Sequence, residues 1–355
     1  MARLKVEGVT KQFGPHKAVD SVTFEADDSE FVVLLGPSGS GKSTMLRMIA
    51  GLERPDSGRI YIDGTVVNDL SPRERDIAMV FQNYALYPHM RIFDNIALPL
   101  RVRRLDDEEI AKRVKDTAEL LQISRLLNKK PSEISGGEQQ RVAVARAVVR
   151  NPKIFLFDEP LSNLDAKLRV MARGFLKRLQ KELKVTTVYV THDQAEAMTM
   201  ADKVALLNDG RLVQMAPPMD IYERPADLFV AGFIGSPPMN LVEGDIVTDG
   251  EAYFVSGPIR QKVEFGGRGA GKVVLGVRPE DVMVSDEPMV AGFKGRVYVA
   301  EPMGNVQYVT VDVEGLRLLA QVEPSREESI NKEVFCGFRG GRTYLFDKET
   351  GRVLS

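Results

Sequence analysis

Cysteine and histidine are nearly absent: one Cys, Cys336, and three His, His16, His89 and His192, in 355 residues. A single thiol excludes an internal disulfide and fits a reducing compartment, and its neighbours Val334, Phe335 and Phe338 predict an ordinary buried side chain. Too few of either residue exist for a Cys/His metal cluster. Long apolar runs are missing as well. Nothing approaches the roughly eighteen consecutive apolar residues of a spanning helix, and the opening Met-Ala-Arg-Leu-Lys-Val-Glu lacks the apolar stretch of a secretory signal. The chain is therefore expected to be soluble and to reach a membrane only through a partner. Nor is there an excess of one charge. With 48 basic residues against 50 acidic, no broad electrostatic footprint for nucleic acid is visible, and none is expected as a partner.

The length is sufficient for two domains, each with its own core. Over 1–236, strand and helix patterns alternate. Short apolar, β-branched runs at Leu4–Val9, Phe31–Leu35, Ile77–Phe81, Ile154–Phe157, Thr187–Thr191 and Val204–Leu207 predict an α/β core covered on both faces. A helical insert is expected at about 83–150, clearest over Asp107–Gln122, where Ile110, Val114 and Leu121 recur at helical spacing. Ser236-Pro237-Pro238 breaks this rhythm. From 237 to 355, runs at Val273–Val277, Gly295–Ala300, Val306–Val313, Leu316–Val322 and Thr343–Phe346 lie between Gly and Pro, as in a small all-β barrel.

Gly36-Pro37-Ser38-Gly39-Ser40-Gly41-Lys42-Ser43 fits the pattern G-x-x-x-x-G-K-[ST]. Its glycines let consecutive backbone N–H groups fold around phosphate oxygens while Lys42 reaches the β and γ groups and Ser43 ligates Mg²⁺. The strand-like run before it and the helix expected from Thr44 to Ala50 place a positive helix end at the phosphates. A second stretch, Gly266 to Lys272, repeats the spacing. Val273 follows it in place of Ser or Thr, and a β-rich run continues, so it reads as a glycine loop between strands. Asp158 and Glu159 end the buried run Ile154–Phe157, where adjacent carboxylates are costly unless a cation and a reacting water meet them. Asp158 suits Mg²⁺, and Glu159 suits the base that polarises the water.

Ser135-Gly136-Gly137-Glu138-Gln139-Gln140-Arg141 resembles the signature of the ATP-binding cassette ATPases, where Ser135 and the glycine N–H groups open a second phosphate-binding helix end. In that family the end faces the γ-phosphate held by the opposite subunit, so the resemblance implies a head-to-tail homodimer with two ATP molecules between the chains. Other positions agree. Gln82 resembles the glutamine that lines Mg²⁺ and the water, Ser162 to Asp165 the loop crossing the dimer interface, His192 the switch histidine at the γ-phosphate, and Phe13 the ring stacked on adenine. The implied ATP site runs through Phe13, Gly36 to Thr44, Gln82, Ser135, Gly136, Gly137 and Asp165. Hydrolysis would fall to Glu159, His192 and Lys42.

Ile134 replaces the usual leucine with little change in volume, and Phe13 in place of Tyr or Trp still offers a ring face. Glu138 replaces glutamine and adds charge where ATP is expected, so it should turn aside toward solvent or ribose rather than bind phosphate. Arg75 to Met90, Phe233 to Asn240, Gly276 to Val282 and Tyr344 to Gly351 resemble ATPase subunits of maltose-type sugar importers with their C-terminal regulatory, oligonucleotide-binding-like domain. That resemblance implies two membrane-spanning permease subunits contacted near the Gln82 loop and helical insert. It also implies a substrate-binding protein acting indirectly, a regulatory protein on the C-terminal domain, and a peripheral place on the cytoplasmic side of the membrane. Glu301-Pro-Met-Gly304 departs from the usual Glu-x-Leu-Gly of that domain. Polyamine, glycerol-phosphate or inorganic-ion import is the alternative within this architecture. A soluble cassette ATPase outside transport and a purely regulatory nucleotide-binding module are the remaining readings; the first should carry a coiled-coil insertion or tandem cassette, and Glu159 with His192 argues against the second.

Overall fold

The computed structural model describes residues 2–265, 271–326 and 328–354. They form two compact units, Met1–Met219 and Asp220–Ser355. Residues 220–236, which the sequence rhythm attaches to the first domain, group by packing with the second unit.

In the first unit a six-stranded sheet runs in the order Arg211–Ala216, Lys203–Asn208, Phe31–Leu35, Thr186–Thr191, Ile154–Asp158, Ile77–Val80. All neighbours are parallel except the Arg211–Ala216 edge. The three central strands are buried at every residue, as their unbroken apolar and β-branched sequences require. Parallel pairing needs helical crossovers, and Ala166–Leu183 and Gln194–Met200 supply two of them.

Leu4–Val9 departs from expectation. It is part of the strand Leu4–Phe13, which lies in a separate antiparallel sheet with His16–Ala26, Ser57–Ile62 and Thr65–Val66. The reason is its period. Leu4, Val6 and Val9 are buried while Lys5 and Glu7 are not, so only one face enters the core, beside Met45, Leu46 and Ile49.

The insert is helical over Ile92–Val102, Asp107–Leu120 and Gly136–Val148. Asp106 caps the second of these by accepting from the Glu109 N–H at 2.8 Å, and Ile110, Val114 and Ala118 form its buried stripe.

The second unit is β-rich. Two antiparallel five-stranded sheets, ordered Ile259–Lys262, Glu251–Ser256, Asn240–Asp249, Lys272–Val277, Thr343–Asp347 and Val282–Ser285, Glu333–Phe338, Phe293–Pro302, Gln307–Val313, Leu316–Val322, share one core around Phe254, Leu275, Val297 and Val309. Cys336 belongs to that core, and burial pushes its thiol up to about 12. Of the second glycine-rich stretch, Gly266–Ala270 lies outside the described residues, while Lys272–Val277 is a strand.

Candidate functional site

The sheet order brings four sequence motifs to one edge. The C-terminal ends of Phe31–Leu35, Thr186–Thr191, Ile154–Asp158 and Ile77–Val80 are neighbours, and they lead respectively into Gly36, His192, Glu159 and Gln82. Ligand crevices in open parallel sheets form at such edges.

After Leu35 the chain turns through Gly36 to Gly41 and enters the helix Lys42–Ala50, whose start has no side-chain cap. Two glycines are required by space and by torsion. A Cβ on Gly36 would stand 2.1 Å from the Leu207 carbonyl oxygen, one on Gly41 2.2 Å from that of Ala18, and both residues have positive φ. Ser40 is buried against the loop while Ser38 and Gly39 are exposed. The Lys42 Nζ donates to the carbonyls of Gly36 at 2.9 Å and Pro37 at 2.7 Å and to Ser40 Oγ at 3.4 Å. Burial lowers its pKa, opposed by Glu159 and Asp158. Ser43 Oγ donates to Asp158 Oδ1 at 2.8 Å, joining the loop to the acidic pair.

Burial raises the Asp158 carboxyl above its ordinary range; Ser43 pulls it down. Its neighbour Glu159 adopts φ 45°, a left-handed conformation uncommon for a non-glycine residue and frequent at functional sites. The Glu159 N–H donates to the Val190 carbonyl at 3.1 Å, and Ser162 Oγ donates to the Glu159 carbonyl at 2.9 Å. So held, its Oε2 lies 3.2 Å from His192 Nδ1. Both line a cavity of about 80 Å³ together with Arg169, Thr191 and Glu196. Buried Glu196 accepts from the Tyr189 hydroxyl at 2.8 Å, and burial raises the pKa of each.

Gln82 is exposed, and its carbonyl accepts from Asn163 Nδ2 at 2.8 Å. This bond ties the Gln82 turn to the loop Ser162 to Asp165. Asp165 caps the helix Ala166–Leu183 by accepting from the Leu168 N–H at 2.9 Å. Arg146, on the helix Gly136–Val148, donates to the Tyr84 carbonyl at 2.8 Å and the Ala85 carbonyl at 2.7 Å. Beside it opens a groove of about 520 Å³ with Met79, Phe81, Tyr87 and Leu98 among its apolar walls and Arg103 and Arg150 among its cations.

Ser135 is the N-cap of Gly136–Val148, and Glu138 completes a capping box with it. Glu138 Oε2 accepts from the Ser135 N–H at 2.9 Å and Oγ–H at 3.0 Å, while Oε1 pairs with Arg125. The side chain therefore folds back on its own helix start, not out toward solvent. Ser135 and Gly137 line a separate hollow of about 290 Å³ with Leu164, Leu168 and Phe175. Among the described residues no hydrogen bond joins Ser135, Gly136 or Gly137 to Gly36–Thr44. Phe13, 48% exposed, ends its strand with Lys11 Nζ 5.2 Å from the ring centroid.

Asn163, Arg146 and Arg125 carry contacts that sequence reading did not single out. Asn163 lay inside a recognised loop, but Arg146 and Arg125 lie 61 and 13 residues from their partners with no periodic signal between.

Three family descriptions match the chain: "ABC transporter" over residues 19–162, "MalK OB fold domain" over 235–282 and "TOBE domain" over 275–346. It is 46% identical to the trehalose/maltose import ATP-binding protein MalK of Thermococcus litoralis, covering 100% of both chains. The sn-glycerol-3-phosphate import ATP-binding protein UgpC of Yersinia pseudotuberculosis is 51% identical over 79% of this chain and 80% of its own. Among solved structures, the dimeric ATP-binding cassette MJ0796 in a post-hydrolysis state with ADP and Pi aligns with a TM-score of 0.55 at 38% identity, over 61% of this chain and 98% of that one.

Proposed function

The chain belongs to the ATP-binding cassette transporter family as an ATP-binding, ATP-hydrolysing import subunit, and from that premise we propose how its residues do the work. Lys42, Ser43 and the Gly36–Thr44 backbone hold the triphosphate, and Phe13 stacks on adenine. Ser43 and Asp158 offer hard oxygen ligands 2.8 Å apart, with a buried carboxylate whose charge a cation would relieve, and Gln82 follows the strand Ile77–Val80 that pairs directly with the Asp158 strand. That donor set fits Mg²⁺, which takes one or two carboxylates plus substrate phosphates. Bound there, the ion would neutralise charge on the β- and γ-phosphates. Glu159 polarises the attacking water, and His192 and Lys42 stabilise the charge that develops on the γ-phosphate.

The observation that carries this reading is the shared strand edge, where Ser43 meets Asp158 and Glu159 meets His192. The second phosphate-binding helix end, at Ser135 to Gly137, opens on a different hollow, which supports a site completed by a partner chain. Two copies would then clamp two ATP molecules, each chain supplying its Ser135 and Gly137 to the other, with Asp165 at the seam. The apolar groove beside the Gln82 turn suits a cytoplasmic segment of a permease subunit, and Arg146 would transmit its movement to the signature helix. By sequence pattern we take 1–236 as the ATPase domain, with its helical subdomain at about 83–150, and 237–355 as the regulatory domain, with 220–236 as the connecting segment that groups by packing with the second unit.

For the solute we propose a sugar, following the full-length likeness to a trehalose/maltose importer subunit. Glycerol-phosphate is the second reading, following the other relative. Growth of a deletion strain on a panel of sugars and on glycerol 3-phosphate separates them: loss on sugars alone supports the first, loss on glycerol 3-phosphate alone the second.

A further inference from the structure

Glu138 sets a negative charge at the helix end that the dimer reading aims at an anion. A first-turn carboxylate suits the helix dipole but repels a phosphate. In this chain the charge does not stand alone. Arg125, from the short turn Ser124–Leu126, pairs with Oε1, while Oε2 takes both donors of Ser135. Ser135 must withdraw its hydroxyl proton from Oε2 before that proton can reach a phosphate oxygen. Arg125 keeps the carboxylate paired when it does.

We propose that Arg125 is a positioning residue of the signature helix: by neutralising Glu138 and holding it back, it lets a helix end that carries a carboxylate accept the partner chain's triphosphate. The proposal rests on the dimer reading above. Arg125, Ser135, Gly137 and Glu138 all line the same hollow, so the charge pair borders the surface where the phosphate would arrive. The Arg125 side chain is 72% exposed, and an ion pair so open adds little to folding. Its removal should therefore change nucleotide handling and not stability.

The experiment is steady-state ATP hydrolysis by the full chain, with ATP titrated at low and at high salt. Arg125→Ala should raise KM roughly fivefold at low ionic strength, with kcat less affected, and the defect should fade near ~1 M salt, where repulsion is screened. Arg125→Lys should restore most of the affinity. The double variant Arg125→Ala/Glu138→Gln should return to the wild-type KM, because the charge to be neutralised has gone. The melting temperature of Arg125→Ala should equal that of the wild type. An Arg125→Ala chain with unchanged KM, or a double variant as impaired as the single, overturns the inference. Ser135→Arg tells this failure from a wider one: if it abolishes hydrolysis while Arg125→Ala is silent, only the charge pair is wrong, and if it leaves hydrolysis intact, the dimer reading fails as well.

Discussion

Burial holds the Asp158 carboxyl above its ordinary range, while Ser43, Arg47 and Lys42 pull it the other way. A carboxyl with a raised native pKa binds its proton more tightly folded than unfolded. Its contribution to stability is complete below the ordinary value of 3.8 and is lost as pH rises through the native one. At neutral pH the isolated chain therefore carries an ionised group whose burial is a cost. Asp158→Asn should melt higher than the wild type without ligand, by about 1 kcal/mol or roughly 2–4 °C for units of this size. The same variant should lose Mg²⁺-dependent hydrolysis. Scanning calorimetry without ligand reads the first and a steady-state hydrolysis assay the second; with Mg-ATP, the melting point of the wild type should rise more than that of the variant. In the proposed mechanism Glu159 acts at a different step, as the base. Glu159→Gln preserves shape and removes the base, so ATP should still bind and drive stable dimerisation while turnover falls by about two to four orders of magnitude. A variant with full turnover would take Glu159 out of its role.

At the scale of elements, the Gln82 turn is held from two sides. Asn163 fixes the Gln82 carbonyl, and Arg146 fixes those of Tyr84 and Ala85, whose φ values of 60° and 46° are also left-handed. Arg146→Ala removes two hydrogen bonds made by a half-buried charged donor, a loss of about 1–3 kcal/mol in local stability for the pair. Amide exchange over 82–87 should quicken in that variant, and exchange at Lys42–Ala50 should not. This clamp also shows where sequence reading stops. The loop at Gly36, the acidic pair and the capping residue Ser135 were legible because each depends on a short fixed spacing. So were the central strands, whose apolar runs leave few alternatives. The strand Leu4–Phe13 was legible as a strand but not as a member of its own sheet, because pairing with His16–Ala26 and Ser57–Ile62 depends on contacts the local pattern does not carry. Among the described residues of the second unit, Asn240–Asp249, Glu251–Ser256, Ile259–Lys262, Val282–Ser285 and Glu333–Phe338 are strands that the sequence reading does not name, because polar and glycine residues interrupt most of their apolar runs. Glu138 does not turn toward solvent or ribose as its charge suggests: it folds back onto Ser135 and pairs with Arg125 thirteen positions earlier, a partner no local spacing signals.

At the scale of the whole molecule, one chain carries two glycine-flanked helix starts, at Lys42 and at Gly136, and the second borders a hollow that none of Gly36–Thr44 lines; in our proposal both bind phosphate. Among the described residues no helix is long and apolar enough to cross a membrane. If each nucleotide needs both kinds of helix end, function requires pairing. Mixed dimers with one Lys42→Ala chain and one Ser135→Arg chain should retain one intact composite site and with it some hydrolysis, whereas homodimers of either variant should hydrolyse no ATP. ATP hydrolysis by tagged, purified mixed dimers reads this directly. The most direct test is a structure of the Glu159→Gln chain with ATP and Mg²⁺. The account predicts a head-to-tail dimer in which each triphosphate touches Lys42 and Ser43 of one chain and Ser135 and Gly137 of its partner. An ATP molecule contacted by a single chain, with the signature helix facing solvent, would contradict it.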